Sequence, residues 1–87
     1  MKKLLHTRKE KIMKLWLLGR IWDKGPYMDY NNGFVIRAQT EQIARILASR
    51  EAADEGPEMW LLNTHSYCVE IPVWGNEEVI LKDFNAG

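Results

Sequence analysis

Between Gly33 and Leu47 the chain changes its hydrophobic period once, from the alternation of a strand to the three- and four-residue spacing of a helix. Phe34-Val35-Ile36-Arg37-Ala38 is β-prone, Thr40 can cap a helix, and Ile43, Ile46 and Leu47 recur as one helical face. A strand that hands over to a helix this abruptly commits the chain to a small α+β domain. The helix is predicted from Glu41 to Arg50 or Ala53. Glu41 suits its positive end, Asp54 and Glu55 oppose its other end, and Gly56-Pro57 stops it.

The flanking sequence supplies more strands. Lys14 to Ile21 is a strand too uniformly apolar to leave one face in water, so it sits centrally or has its second face covered by the helix or a partner chain. Residues 22–32 make a loop longer than a hairpin needs, broken by Gly25-Pro26 and turned by Asn31-Asn32-Gly33. Trp60-Leu61-Leu62 either opens the next strand or packs beneath it. Tyr67, Val69 and Ile71 then alternate with Cys68 and Glu70 until Pro72 ends the run. Gly75-Asn76 turns the chain into a last strand, Val79 to Phe84. The order β-β-α-β-β fits an antiparallel sheet of about four strands with one helix packed on one face.

Eighty-seven residues, 46% hydrophobic and 28% charged, make one ordinary globular domain. Its charge is unevenly spread. Residues 1–12 hold five basic groups against Glu10, which leaves the other 75 residues with seven basic and eleven acidic groups. Residues 1–12 are therefore read as a basic N-terminal extension and 13–87 as the single domain. An acidic body repels a phosphate backbone, which disfavours nucleic acid as a partner. The longest apolar run near the basic start, Leu15 to Leu18, is short of a signal-peptide core, and no run is long enough to cross a membrane. A single cysteine, Cys68, forms no internal disulfide, and the cytoplasm is the expected compartment.

Residues that could carry chemistry are few. His65 and Cys68 are three apart where a loop enters a strand, a spacing that does not place them on one face, and no orienting carboxylate follows. His6, His65 and Cys68 form no metal-ligand pair, and Asp23, Asp29, Asn31 and Asn32 lack the spacing of a calcium loop. No phosphate-cradling glycine motif is present. The reading is accordingly non-enzymatic, with no catalytic residue, metal or cofactor assigned. One binding constellation remains: Trp22, Tyr27 and Tyr30 in the long loop, Arg20 and Arg37 flanking it on strands, and Asn31 with Asn32 at its end. Aromatic rings stack on bases or anchor protein contacts, and arginine offers a fork of donors to phosphate or carboxylate.

Met13-Lys14-Leu15, Asp29-Tyr30, Phe34-Val35-Ile36-Arg37-Ala38 and the terminal Phe84-Asn85-Ala86-Gly87 together resemble a pattern found in small, uncharacterised proteins of bacteriophages and their hosts. The resemblance covers residues 13–87. It implies a phage setting and supplies no catalytic residues. In that setting the loop aromatics beside two arginines suggest a counter-defence protein that sequesters a small nucleotide-derived host immune signal in the host cytoplasm. The alternative is an inhibitor or adaptor that docks on a host protein through its exposed aromatics. A domain this small seldom encloses a ligand alone, so a homo-oligomer is expected.

Overall fold

In a computed structural model, which describes residues 12–21 and 29–82, the chain forms a three-stranded antiparallel sheet with two helices. The strands are β1 (Lys14–Arg20), β2 (Gly33–Ala38) and β3 (Ser66–Ile71), and the helices are α1 (Glu41–Arg50) and α2 (Glu58–Leu61). β1 lies in the centre, in the order β2-β1-β3. Of the arrangements its uniform apolarity allowed, the central place is the one observed. Leu17 faces Val35 on one side and Val69 on the other, which fixes the register of all three strands.

Helix α1 begins where expected. The Thr40 hydroxyl accepts from the Ile43 amide at 3.2 Å, satisfying one of the free donors of the first turn. Its buried face, however, is Ala44, Arg45 and Ala48, with Leu47 partly buried, whereas Ile43 is 41% exposed. The expected Ile43–Leu47 face is thus turned outward on its Ile43 side. Two alanines let the helix approach the sheet closely, and tryptophans fill the volume that larger helix residues would have taken. Trp60 at the centre of the core stands edge-on to Phe34, with ring centres 4.9 Å apart. The Trp16 indole donates to the Ala38 carbonyl at 3.0 Å.

Two further expectations change. Trp60-Leu61-Leu62 packs against the sheet and does not open the next strand: Trp60 and Leu61 lie in α2, whose Met59 and Trp60 belong to the core, so the order is β-β-α-α-β with two helices instead of one. Pro57 and Gly56, the latter at φ 86°, turn the chain into this short helix. Among the described residues no fourth strand follows β3. Residues 79–82 carry no ladder, and the rest of the expected strand, with the terminal Phe-Asn-Ala-Gly, lies outside the described residues. The expected 1–12 extension lies outside them too, except for Ile12.

Two buried polar groups lock the layers together. Arg45 donates to the Trp60 carbonyl at 2.9 Å and to the Ser66 hydroxyl and carbonyl at 3.0 Å each, and its Nε pairs with Glu41 at 3.0 Å. Desolvating the guanidinium is tolerable because its donors are matched. The Glu55 carboxylate accepts from the Trp60 indole at 2.9 Å, the Asn31 amide side chain at 2.9 Å, and the backbone of Asn31 and Ala53. Burial works to raise its pKa. The hydrogen bonds from Asn31, Trp60 and backbone amides outweigh that and hold it below the ordinary 4.5.

Candidate functional site

The two faces of the sheet have different surroundings. Trp16 and Leu18 of β1, with Phe34 and Ile36 of β2 and Cys68 of β3, pack into the core beside the helices. By alternation, Leu15, Leu17, Val35, Arg37, Tyr67, Val69 and Ile71 point the other way. The segment 78–82 runs along this outer face. With the sheet it bounds two grooves, one of about 320 Å³ holding Asn32, Gly33, Tyr67, Leu81 and Lys82, the other of about 230 Å³ holding Val69, Ile71, Glu78 and Val79.

Tyr67 shapes the first groove. Its ring occupies the space where a Cβ on Gly19 would stand, so β1 needs glycine there for the ring to lie across the strand. Gly33 is equally constrained, since a Cβ would run into the Leu18 carbonyl. Among the described residues, Lys82 is the charged residue that lines this groove. A planar ring, a cation, the Asn32 amide and close backbone form a surface able to take a flat anionic ligand.

The residues singled out from sequence divide around this groove. Arg20 and Tyr30 come together, the guanidinium lying 4.7 Å from the ring centre. Arg20 also donates to the Asn32 side chain at 2.9 Å, and Asn32 belongs to the groove as well. Asn31 is next door but committed to structure. Its side chain donates to Glu55 and to the Glu51 carbonyl, while Asp29 and Asp54 exchange hydrogen bonds at 2.9 and 3.1 Å, so residues 29–31 are tied to the end of α1. Arg37 is elsewhere. It pairs with Leu15, five residues along β1 from Arg20 or roughly 17 Å, and points to the outer face where Arg20 does not. Trp22 and Tyr27 lie outside the described residues.

Tyr67, Lys82 and Gly19 were not singled out from sequence. The signal for Gly19 and Tyr67 was a glycine inside an otherwise apolar strand, which marks a close approach. A third hollow, of about 530 Å³, lies at the start of α1 beside Thr40, Glu41 and Leu62; there the Glu41 carboxylate holds the place an anion would take and is already paired with Arg45. Burial pushes the Cys68 thiol up to about 11, with Glu41 adding to the rise and Arg45 opposing it. It is therefore a protonated thiol at neutral pH, not a nucleophile. Among the described residues no cluster of three or more His, Cys, Asp or Glu could hold a metal ion, and no helix is long and apolar enough to cross a membrane.

No protein-family model, curated protein or solved structure matches this chain.

Proposed function

We propose that this chain is a non-enzymatic binding protein that sequesters a small, anionic, nucleotide-type ligand in the Tyr67 groove. The observation that carries the reading is the lining of that groove, which among the described residues combines an aromatic ring, the Asn32 amide and Lys82. Tyr67 stacks a base, Lys82 and nearby backbone amides meet phosphate, and Arg20 orients Asn32 from behind. Leu81 and Lys82, expected within a fourth strand, serve here as the groove's outer wall. A counter-defence role in the host cytoplasm rests on the resemblance of residues 13–87 to small phage-type proteins.

A second reading, docking on a host protein, is favoured by Val73 and Trp74, which follow β3 and are 81% and 87% exposed. A tryptophan held that far out is a costly surface residue and a common hot-spot anchor. Calorimetric titration with cyclic di- and trinucleotides and with ADP-ribose separates the two. Binding that Tyr67→Ala and Lys82→Ala each weaken by about 1–3 kcal/mol supports sequestration. No heat with any of these ligands refutes it and leaves protein docking through Trp74 as the function.

A further inference from the structure

We propose that Glu55 is a positioning residue of the Tyr67 groove: through Asn31 it fixes Asn32, so that the Asn32 amide stands ready as a hydrogen-bond donor before any ligand arrives. The fixing of this segment is argued from its contacts alone; its effect on affinity rests on the ligand reading above. Asn31 has three N–H donors, and the end of α1 takes all of them. Its backbone N–H reaches one Glu55 oxygen at 3.1 Å, while its side-chain amide reaches the other at 2.9 Å and the Glu51 carbonyl at 3.0 Å. Asn31 therefore has no donor left for a ligand. Glu55 is as fully used. Its Oε1 accepts from the backbone of Asn31 and Ala53, and its Oε2 from the Asn31 side chain and the Trp60 indole. Four N–H groups fill the acceptor sites of a carboxylate that is 2% exposed.

Because Trp60 is fully buried, one carboxylate ties the centre of the core to residue 31. Burying a charge is a costly way to close a loop, and an apolar contact would do it with less desolvation. What the carboxylate adds is direction, since a shift of about 1 Å in residues 29–31 would leave buried donors unmatched. The neighbours of Asn31 carry that placement to the groove. Arg20 bridges them: its guanidinium lies 4.7 Å from the Tyr30 ring centre and donates to the Asn32 side-chain oxygen at 2.9 Å. With that oxygen engaged, Asn32 offers its two N–H donors to the groove it lines. A donor held in place beforehand spares the ligand the cost of ordering it. The groove is consequently matched to a ligand that presents acceptor oxygens or ring nitrogens at its Asn32 end. Arg20, Tyr30 and Asn31, which the sequence groups with the ligand contacts, are the support behind Asn32.

The test compares the full wild-type chain with Asn31→Ala, Glu55→Gln, the double variant, and Ala48→Gly, which weakens α1 at a position outside this chain of contacts. In the ligand-free protein the NMR signals of the Asn32 side-chain amide and the Gly33 backbone amide should move in Asn31→Ala and Glu55→Gln and stay in place in Ala48→Gly. Calorimetric titration with cyclic di-AMP should show each of the first two variants about 3–10-fold weaker than wild type, the worth of one well-placed hydrogen bond. The double variant should lose no more than the greater single loss, since both act through one contact. Circular dichroism checks the fold of each. Asn31→Ala leaves Glu55 its other three donors and carries the test alone if Glu55→Gln does not fold. Unmoved Asn32 signals, or wild-type affinity in both variants, overturn the positioning role. So does an Ala48→Gly loss as large as theirs, which would make the effect one of stability. Losses that multiply in the double variant overturn the shared route through Asn31. Shifted signals in a chain whose wild type takes up no cyclic di-AMP keep the positioning of Asn32 and overturn the nucleotide reading.

Discussion

The inner and outer faces of one sheet are built from the same strands and have opposite fates. On the inner face Leu18, Ala44, Ala48, Met59 and Trp60 are at most 1% exposed, and the polar groups of Arg45 and Glu55 that enter the core are matched by named partners. On the outer face Val35 and Val69 flank Leu17 in register, yet are 56% and 48% exposed. Equal hydrophobicity therefore does not imply equal burial. What separates the faces is cover: α1 and α2 press two small alanines and a tryptophan against one, while among the described residues only the segment 78–82 lies along the other.

The largest effect expected from that contrast is at Trp60. Its removal as Trp60→Ala should cost about 3–5 kcal/mol by denaturant unfolding, since the ring fills the centre of the core and its N–H serves Glu55. A cost under about 1 kcal/mol would show that the inner face is loosely packed and that the two faces differ less than their exposures say.

Glu55 gives a smaller effect with a signature in pH. Because its pKa is held below 4.5 in the fold, its stabilising contribution is complete above that value and is lost as pH falls through the folded pKa. Glu55→Gln keeps the shape but removes the charge, and should flatten the acid limb of a stability–pH curve while lowering stability at pH 7 by about 1–3 kcal/mol. An unchanged acid limb would mean that other carboxylates carry it.

How much of this was legible in the sequence follows from what each pattern encodes. The central place of β1, the Thr40 cap and the end of β3 before Pro72 are local matters of period and backbone chemistry, and the structure has them as read. The facing of α1 was misjudged because helical spacing ranks Ile43 and Leu47 above alanine, whereas the close approach to Trp60 rewards Ala44 and Ala48. Arg45 was not singled out, because nothing local marks it as buried; β3 and α2, distant along the chain, supply the Ser66 and Trp60 acceptors that allow its burial. The site divides in the same way. Arg20, Tyr30 and Asn32 lie within one turn-linked stretch and come together, but Tyr67 and Lys82 join them through strand pairing and a crossing segment that no local pattern announces.

The smallest effects belong to positions that sequence pattern alone would place in a core. Ile43→Ala, on the outward side of α1 at 41% exposure, should cost no more than about 1 kcal/mol, several-fold less than Trp60→Ala. Val35→Lys on the outer face should change the stability of the isolated chain by within about 0.5 kcal/mol, since its side chain is already more than half in water. Thermal melts of wild type and variant check this. A large Val35→Lys penalty would place Val35 in a packed interior, and the two faces would no longer be a covered and an uncovered one.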